Sequence, residues 1–486
     1  MNKYKWLLLL VILTLGFMLR LYRFDNPIAD WHSWRQADTS SVSREFVKNG
    51  FDLLHPKYHD LSSQTGGRLP NPEGFRFVEF PIYNLLQGGF FSIFGIFTLE
   101  RWGRFVSIFS SIISAVFIFL ILRKYVSDTI GLFGAFFYSF LPFNIYFGRV
   151  ILPEPMTAMA ILGGIYFFDQ WLSKKNCSRS MRDPASAGQF FLAVSFTAIA
   201  ILLKPFAIFF ILPMVFLAFN KFGFGALKKV NLWLFAILTL IPIAAWRIWM
   251  LAYPQGIPDG SWLFNAGGIR FTGAFFYWLF ADRVGRLILG YFGVALFILG
   301  FLRKFDKTTL FFLSFIASSL AYMSVIAKGN VNHDYYQILI IPSVVIFMAL
   351  GIDFLLKHKG SIFPSISAYA VMLICSLFSF MFGWYFIRDY FNINNPSIVE
   401  AGRTANRILP KDAIVIAPYG GDSAFLYQTN RKGFADWKLS PSEMIQLGAT
   451  HLVIVNPTDK EEHLKNDYKI LEGKDSYIIF DLRKGP

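Results

Sequence analysis

The sequence has 486 residues, of which 55% are hydrophobic and 19% aromatic but only 16% charged, whereas soluble globular proteins carry about a quarter charged residues. With apolar stretches of roughly 17–25 residues along most of the chain, this composition excludes an ordinary soluble domain and predicts a polytopic α-helical membrane protein. The net charge of +15 is explained by the Lys and Arg that concentrate in the cytoplasmic loops of membrane proteins, more simply than by nucleic-acid binding. Two cysteines are too few for a disulfide framework.

The first apolar run, from Trp6 to Leu19, has the length of a signal-peptide core. It lacks a small-residue cleavage site and further apolar runs follow it, so we interpret it as a retained first transmembrane helix. About eleven spans are predicted in total. They lie near 6–22, 105–122, 129–147, 155–172, 189–203, 206–219, 231–250, 284–302, 308–326, 336–356 and 362–386.

The basic clusters decide how these spans are oriented. If the further apolar segment 81–97 does not cross the membrane, every cluster lies on the same side as the N-terminus; if it crosses, all clusters after the first change sides. The positive-inside rule favours the first arrangement, and Asn84, Gln87 and a Gly pair suit an interfacial helix. We therefore predict a cytoplasmic N-terminus and an outer C-terminus. The clusters lie at 3–5, 123–124, 174–182, 221–229, 303–307 and 357–359.

On this topology the long loop 23–104, with its interfacial helices, is extracytoplasmic, and so is the tail. The tail contains the short β-branched runs AIVIA (413–417), HLVIV (451–455) and YIIF (477–480), and helix-like stretches precede the first two. This pattern predicts a small α/β domain at 391–486 on the outer face, following a transmembrane catalytic domain at 1–390.

Ionisable residues near membrane depth are costly and are therefore candidates for function. On the predicted topology they gather on the outer side from five stretches that are far apart in sequence, and this convergence, more than any single residue, predicts an active site there. The candidates are Asp30, His32, Arg35, Asp38, Glu45, Glu79, Arg149, Glu154, Lys204, Lys328, His333, Asp334, Tyr335 and Tyr336.

Each candidate also has a purely structural interpretation. Asp38 is followed by Thr-Ser-Ser and can cap a helix whose next residues face solvent. Asp30 can likewise cap a short helix or face solvent. The Arg and Glu of GRVILPEP (148–155) can form an ion pair at a helix end. Lys204 can extend to the lipid headgroups, and His333 can belong to an aromatic belt at the interface.

The chemistry of this set suits group transfer. A carboxylate flanked by cations can act as a general base towards an acceptor hydroxyl or amine, and Arg and Lys can stabilise a phosphate leaving group. Glu and His can also hold a divalent metal ion (Mg, Mn or Zn), although no tight spacing such as HxxxH is present. The Gly pairs at 66–67, 88–89 and 420–421 match neither a P-loop nor a dinucleotide fingerprint, so we predict no nucleotide site.

Five stretches resemble motifs of the GT-C membrane glycosyltransferases, in particular bacterial members related to protein O-mannosyltransferases and lipid A aminoarabinose transferases. They are DWHSWRQADTSSVSREF, VEFPIYNLL, GRVILPEP, LLKPF and NHDYYQ, and the resemblance covers about residues 1–390. It implies a GT-C fold and transfer of a sugar from a polyprenyl-phosphate carrier to a lipid, glycan or protein acceptor. The transfer would occur on the extracytoplasmic side of the inner (plasma) membrane.

The resemblance also implies roles for residues of the first loop. Asp38 would act as the base or position the acceptor. The protein mannosyltransferases have an Asp-Glu pair where this chain has Ala37-Asp38, which leaves open whether Asp30, Asp38 or both act. Glu79 matches the position just before the interfacial helix, where relatives place a functional Glu or Lys.

The later stretches are implied to hold the donor and the acceptor. Arg149, Lys204, His333 and Tyr336 would bind the donor phosphate. Glu154, His32 and Asp334 would bind the acceptor or a metal ion.

The main alternative is a membrane transporter or flippase for a lipid-linked sugar. Transporters place ionisable groups within spans, often on broken helices, whereas the predicted spans 105–122, 129–147, 189–203 and 308–326 contain no charged residue. A receptor with an outer α/β domain would not need so many spans. The sequence therefore favours a glycosyltransferase.

Overall fold

A computed structural model of the chain describes residues 3–174, 184–461 and 463–483. The chain divides into two compact units. Unit 1 comprises Met1–Tyr22, Phe105–Ile248 and Gly260–Asp389, and unit 2 comprises Arg23–Arg104, Trp249–Asp259 and Tyr390–Pro486. Most of the basic cluster 174–182 lies outside the described residues, as does Cys177.

Unit 1 is built from helices. Those that lie wholly or largely in it are Lys3–Arg20, Leu99–Tyr125, Asp128–Phe140, Pro142–Phe147, Glu154–Ser173, Pro184–Leu203, Leu212–Phe222, Val230–Met250, Trp262–Asn265, Gly273–Phe276, Gly293–Leu299, Lys307–Val325, Ala327–Asn332, Ile341–His358 and Ser365–Ile387. Tighter 3₁₀ segments are Pro205–Ile211, Gly223–Lys228, Ala266–Phe271, Gly300–Leu302 and Asp334–Leu339, and a wider π-type helix is Tyr277–Ile288.

Among the described residues, seven helical stretches are long and apolar enough to cross a membrane, or eight if one bent pair forms a single span. The chain is therefore a multi-pass membrane protein. The predicted spans 6–22, 129–147 and 155–172 are helical but are not among these eight. The helix of the first, Lys3–Arg20, carries three basic residues, and the second is broken in two. Eleven spans thus stay a prediction.

The break in the predicted span 129–147 occurs at Pro142, which follows helix Asp128–Phe140. Proline has no N–H to donate to the carbonyl four residues earlier, so the last carbonyls of the preceding helix need other donors. The fully buried guanidinium of Arg20 supplies them, with Nη1 2.9 Å from the carbonyl oxygen of Ser139 and Nη2 3.3 Å from that of Tyr138. A buried cation thus stabilises the broken helix end.

The predicted span 284–302 is not one straight helix. Helical stretches Gly273–Ile288 and Gly293–Leu302 are bent by 112° relative to each other. At the bend, Gly290 (φ +52°) and Tyr291 (φ +61°) have left-handed backbone conformations. A Cβ atom on Gly290 would lie 2.3 Å from the carbonyl oxygen of Ser379, so glycine permits both the turn and the close packing.

Two helices of the first loop belong to unit 2. The loop helix, Ser33–Asn49, ends at Gly50, which has φ +96° and donates its N–H to the carbonyl of Phe46. The short helix, Ile82–Phe94, has 13 residues, which gives a length of about 20 Å. Because the hydrocarbon core is about 30 Å thick, this straight helix is too short to span it; its place at the membrane interface stays a prediction.

The rest of unit 2 is an α/β fold. Its strands are β1 (Ile414–Ile416), β2 (Lys432–Phe434), β3 (His451–Val455), β4 (Lys469–Lys474) and β5 (Tyr477–Asp481), and its further helices are Pro396–Ile408, Ala424–Thr429, Pro441–Gln446 and Leu464–Asp467. Short 3₁₀ segments are Pro254–Gly256 and Asp459–Glu461, and Arg388–Phe391 lies at the border of the two units.

The five strands form one mixed sheet in the order β2-β1-β3-β5-β4. β1 runs parallel to β2 and β3, whereas β5 is antiparallel to β3 and β4. The first loop extends the sheet beyond β2, because Leu61 donates its N–H to the carbonyl of Gly433 at 2.7 Å and Gly433 donates to the carbonyl of His59 at 3.0 Å. The loop and the tail are therefore parts of one structural unit.

Candidate functional site

The loop helix carries the predicted first-loop motif and is buried despite its polar sequence. Its Ser43 hydroxyl donates to Gln87 at 2.7 Å, and the amide of Gln87 donates to the hydroxyl of Ser40 at 2.9 Å. The side chain of Asn84 donates to the carbonyl of Thr39 at 2.6 Å. These bonds satisfy the polar groups that burial removes from water and fix the loop helix against the short helix.

Asp38 lies inside the loop helix and its side chain is buried. It is therefore neither a helix cap nor a solvated residue, and both structural interpretations of Asp38 are wrong. One carboxylate oxygen is 2.6 Å from Nη2 of Arg76, and the other accepts a hydrogen bond from the hydroxyl of Ser423 at 2.6 Å. An ionised carboxylate accepts about four hydrogen bonds, so these two donors orient the group and leave acceptor capacity for a ligand.

Three further titratable side chains surround Asp38. Burial raises the pKa of Asp60, and it raises the pKa of Asp422 to about 6; in both cases the negative charge of Asp38 adds to the effect. Burial lowers the pKa of His59 to about 3, so its imidazole is neutral at physiological pH. Perturbed carboxyl groups around a buried carboxylate are typical of functional sites.

Asp30 has a different set of partners. It is fully buried, and its carboxylate accepts a hydrogen bond from the side-chain amide of Gln36 at 2.7 Å and lies 4.0 Å from Nη2 of Arg104. Its backbone carbonyl accepts a hydrogen bond from Asn394 at 3.0 Å. The prediction that Asp30 is a solvated residue is therefore wrong, and these contacts join the start of the loop to the start of the tail.

Two other first-loop candidates are His32, two residues after Asp30, and Glu79, just before the short helix. His32 precedes the first residue of the loop helix in a left-handed conformation (φ +54°), and its ring packs on that of Trp31 with centroids 5.2 Å apart. Glu79 forms an ion pair with Arg35 of the loop helix, and both side chains are largely buried. Glu79 is thus positioned by the same helix that carries Asp38.

Glu154 and Lys204 form a buried ion pair in unit 1, with Nζ and Oε1 2.8 Å apart. Lys204 directly follows helix Pro184–Leu203. Glu154 is the first residue of the preceding helix, Glu154–Ser173. The other oxygen of Glu154 is buried without a hydrogen-bond partner among the described residues. Such a pair is costly to bury, which makes it a candidate for function rather than for stability.

An aromatic group flanks this ion pair. Nζ of Lys204 lies 5.9 Å from the ring centroid of Tyr336, and the ring of His333 stacks on that of Tyr336 with centroids 6.1 Å apart. Asp334 is buried and is the first residue of the 3₁₀ segment that follows His333 and contains Tyr336. Arg149 is also fully buried, with its guanidinium 5.4 Å from the ring centroid of Tyr146.

The predicted site residues therefore form two groups, one in each unit. Unit 2 holds Asp30, His32, Asp38 and Glu79, and unit 1 holds Arg149, Glu154, Lys204, His333, Asp334 and Tyr336. Within the part of the chain that is described, no three His, Cys, Asp or Glu side chains are grouped so that they could hold a metal ion. The metal-binding roles of Glu154, His32 and Asp334 thus have no ligand cluster to support them.

Sequence reasoning missed the partners of Asp38. Arg76 lies 38 residues away, and Ser423 lies 385 residues away in the tail. The only signal for Arg76 is its place in FRFVEF, three residues before Glu79. No local pattern identifies Ser423, because its role depends on how the tail packs on the loop.

Comparisons with known proteins show what parts of this chain are similar to. Residues 78–249 match the family model described as dolichyl-phosphate-mannose-protein mannosyltransferase. A comparison with curated protein sequences gives no match.

Two solved structures are similar to this chain over most of its length. The structure of ArnT from Cupriavidus metallidurans bound to undecaprenyl phosphate has a TM-score of 0.69 at 12% sequence identity, covering 99% of this chain and 98% of that chain. The archaeal oligosaccharyltransferase AglB from Archaeoglobus fulgidus, in complex with an inhibitory peptide and a dolichol-phosphate, has a TM-score of 0.57 at 10% identity, covering 93% and 70%. At such identities these likenesses concern the fold.

Proposed function

We propose that this chain is a GT-C membrane glycosyltransferase, which the match of residues 78–249 to the mannosyltransferase family model and the likeness in fold to ArnT and AglB support. It transfers a sugar from a polyprenyl-phosphate-linked donor to an acceptor on the extracytoplasmic side of the inner membrane. The lipid phosphates bound by ArnT and AglB support a carrier of this class. The acceptor is a lipid, a glycan or a protein. The observation that carries the proposal is the buried carboxylate of Asp38, which Arg76 and Ser423 hold from two sides.

In the proposed reaction, a hydroxyl or amine of the acceptor attacks the anomeric carbon of the donor sugar. The bond between that carbon and the phosphate oxygen breaks, and polyprenyl phosphate leaves with the electron pair. Asp38 accepts the proton of the nucleophile as general base. Its two protein donors fix the carboxylate in one orientation, so that less freedom has to be lost when the acceptor binds.

We assign the donor phosphate to the residues of unit 1. Glu154 holds the ammonium group of Lys204 at 2.8 Å. The positive charge of Lys204 is proposed to lie beside the donor phosphate, where it would stabilise the leaving group. Arg149, His333 and Tyr336 are proposed to complete the phosphate site.

The proposal is tested with the purified full-length protein and a panel of polyprenyl-phosphate sugars, in the presence of envelope extract as the source of acceptor. A general base contributes typically 10²–10⁴-fold to a rate, so Asp38→Asn should lower release of polyprenyl phosphate by about a hundredfold or more. Asp30→Asn is the matched variant of the other buried aspartate, and Asp412→Asn controls for an exposed one. Near-normal release by Asp38→Asn would remove the assigned base.

We also propose that the first loop and the α/β tail face the extracytoplasmic side. In a background without Cys177 and Cys375, single cysteines at the exposed positions Pro70 and Asp475 should react with an impermeant thiol reagent in intact cells, whereas one at Lys304 should react only after lysis. Labelling of position 304 in intact cells, or protection of 475, would contradict the proposed sidedness.

A further inference from the structure

A polar cavity of about 310 Å³ lies within unit 2, and Asp38 is not part of its wall. The wall is formed by the first residues of the loop 23–104, by the start of helix Leu99–Tyr125 and by the tail helices Pro396–Ile408 and Ala424–Thr429. A water molecule occupies about 30 Å³ in the liquid. The cavity therefore has room for a ligand of the size of a lipid headgroup.

The charged residues of the wall are mainly cations. Four arginines face two carboxylates, which leaves a surplus of two positive charges. These residues are Arg44, Arg101, Arg104, Arg403, Asp25 and Glu100.

Two of the arginines are compensated by the two carboxylates. Arg44 lies 3.3 Å from Glu100, whose carboxylate also accepts a hydrogen bond from the hydroxyl of Tyr427 at 2.6 Å. Arg101 forms an ion pair with Asp25 at 2.6 Å. These two pairs frame the cavity but do not account for its surplus charge.

Arg104 is buried with part of its guanidinium unsatisfied. Its Nη1 donates to the backbone carbonyls of Phe24 and Asn26, at 2.8 and 2.5 Å. Its Nε and Nη2 are buried and have no hydrogen-bond partner among the described residues. The carboxylate of Asp30 lies 4.0 Å from Nη2, too far for a hydrogen bond. A buried charged donor without an acceptor is costly, so an anion in the cavity would stabilise this side chain.

Arg403 also lines the cavity, on helix Pro396–Ile408, and is exposed. It makes no hydrogen bond or ion pair with any residue in the described part of the chain. Arg403 is therefore a cation without a counter-charge among the described residues. An unpaired buried donor and an unpaired exposed cation thus line the same cavity.

We propose that this cavity binds a phosphate group, carried by an anionic phospholipid headgroup or present as free phosphate. Guanidinium groups match phosphate in geometry and charge. The wall includes Arg101 and Arg104, in the first two turns of a helix long and apolar enough to cross a membrane, and Asp25, five residues after helix Lys3–Arg20. Ends of membrane helices lie at the depth of the headgroups. This site is separate from the residues assigned to sugar transfer.

The test uses the full-length protein in neutral detergent and two probes. Native mass spectrometry measures binding of phosphatidylglycerol, with phosphatidylcholine as the uncharged comparison, and titration calorimetry measures binding of inorganic phosphate. Arg403→Gln removes the exposed cation and should weaken binding about tenfold, as expected for one charge-assisted contact. Arg407→Gln is the matched control, because Arg407 is exposed on the same helix, one turn further, and is not part of the wall.

Binding of phosphatidylglycerol but not phosphatidylcholine, weakened by Arg403→Gln and unchanged by Arg407→Gln, would identify a lipid headgroup as the ligand. Binding of inorganic phosphate with the same dependence on Arg403, without selective lipid binding, would support the phosphate site with free phosphate as its source. If neither probe binds, or if both variants bind like the wild-type protein, the proposal is wrong.

Discussion

Substitution of Asp422 by Asn should stabilise the protein at neutral pH. The Asp422 carboxylate lies next to Ser423 in the chain, and it accepts hydrogen bonds from the N–H of Ala424 at 2.7 Å and from the hydroxyl of Ser33 at 3.3 Å. Burial, helped by the negative charge of Asp38, nevertheless raises its pKa from 3.8 to about 6. The Asn oxygen can accept the hydrogen bond from Ala424 without carrying the charge, and the Asn amide can donate to the hydroxyl oxygen of Ser33 in place of the second bond.

The size of the effect follows from the pKa difference. A shift of one unit corresponds to 1.36 kcal/mol, so the shift of about two units makes ionised Asp422 destabilising by about 3 kcal/mol above pH 6. Between pH 3.8 and 6 the unfolded chain loses this proton while the folded protein keeps it, so stability falls as pH rises. Of this destabilisation, about 2 kcal/mol should develop as the pH rises from 4.5 to 7.5.

Thermal unfolding in detergent at these two pH values measures the effect. Since 1 kcal/mol shifts Tm by about 2–4 °C in a domain of 150–250 residues, Asp422→Asn should melt several degrees above the wild-type protein at pH 7.5, with a smaller difference at pH 4.5. Asp412→Asn, at an exposed position, should change Tm little at either pH. An equal Tm difference at both pH values, or a lower Tm at pH 7.5, would refute the reasoning.

Three other substitutions test the remaining contacts. Ser423→Ala removes one donor from the charged Asp38, worth about 1.5–3 kcal/mol, so Tm should fall by several degrees and sugar transfer should fall about 10- to 100-fold; unchanged transfer would show that this bond does not matter. Lys204→Met leaves Glu154 buried and unpaired and should lower the free energy of unfolding by about 3–5 kcal/mol. The double variant Lys204→Met/Glu154→Gln should regain part of the lost Tm. Gly433→Ala places a Cβ atom 1.8 Å from a carbonyl oxygen of β1 and should destabilise by about 1–3 kcal/mol or more; a wild-type Tm would contradict this close approach.

The sequence predicted those elements whose hydrophobic pattern is strong and local. The predicted spans 231–250 and 308–326 correspond to helices Val230–Met250 and Lys307–Val325, because a long apolar run is sufficient to specify a membrane helix. The β-branched runs AIVIA and HLVIV likewise contain β1 and β3, and YIIF forms the first four residues of β5.

The sequence did not reveal elements that depend on contacts between distant residues. Strands β2 (KGF) and β4 (KILEGK) have few β-branched residues; β2 pairs with β1 and with the first loop, and β4 is an edge strand. The bend near Gly290 lies inside an apolar stretch with no change in hydrophobicity. In such cases tertiary packing overrides local propensity.

In the candidate site, too, the sequence pointed to individual residues but not to their contacts with distant parts of the chain. That Asp38 and Glu79 are special was visible from the cost of charged residues near a membrane. Their partners were visible only in part: Arg35 was among the candidates, but the pairing of Asp38 with Arg76 and Ser423 requires the loop and the tail to pack as one unit. Sequence spacing carries no information about such long-range contacts.

The central claim is that this protein transfers a sugar to an envelope acceptor and needs Asp38 to do so. Mass spectrometry of envelope lipids and glycans tests it directly, in a deletion strain that carries the wild-type gene, the Asp38→Asn variant or no gene. One sugar-bearing species should be missing from the deletion strain, return with the wild-type protein and stay missing with the inserted and folded Asp38→Asn variant. Full restoration by Asp38→Asn, or an unchanged envelope in the deletion strain, would contradict the claim.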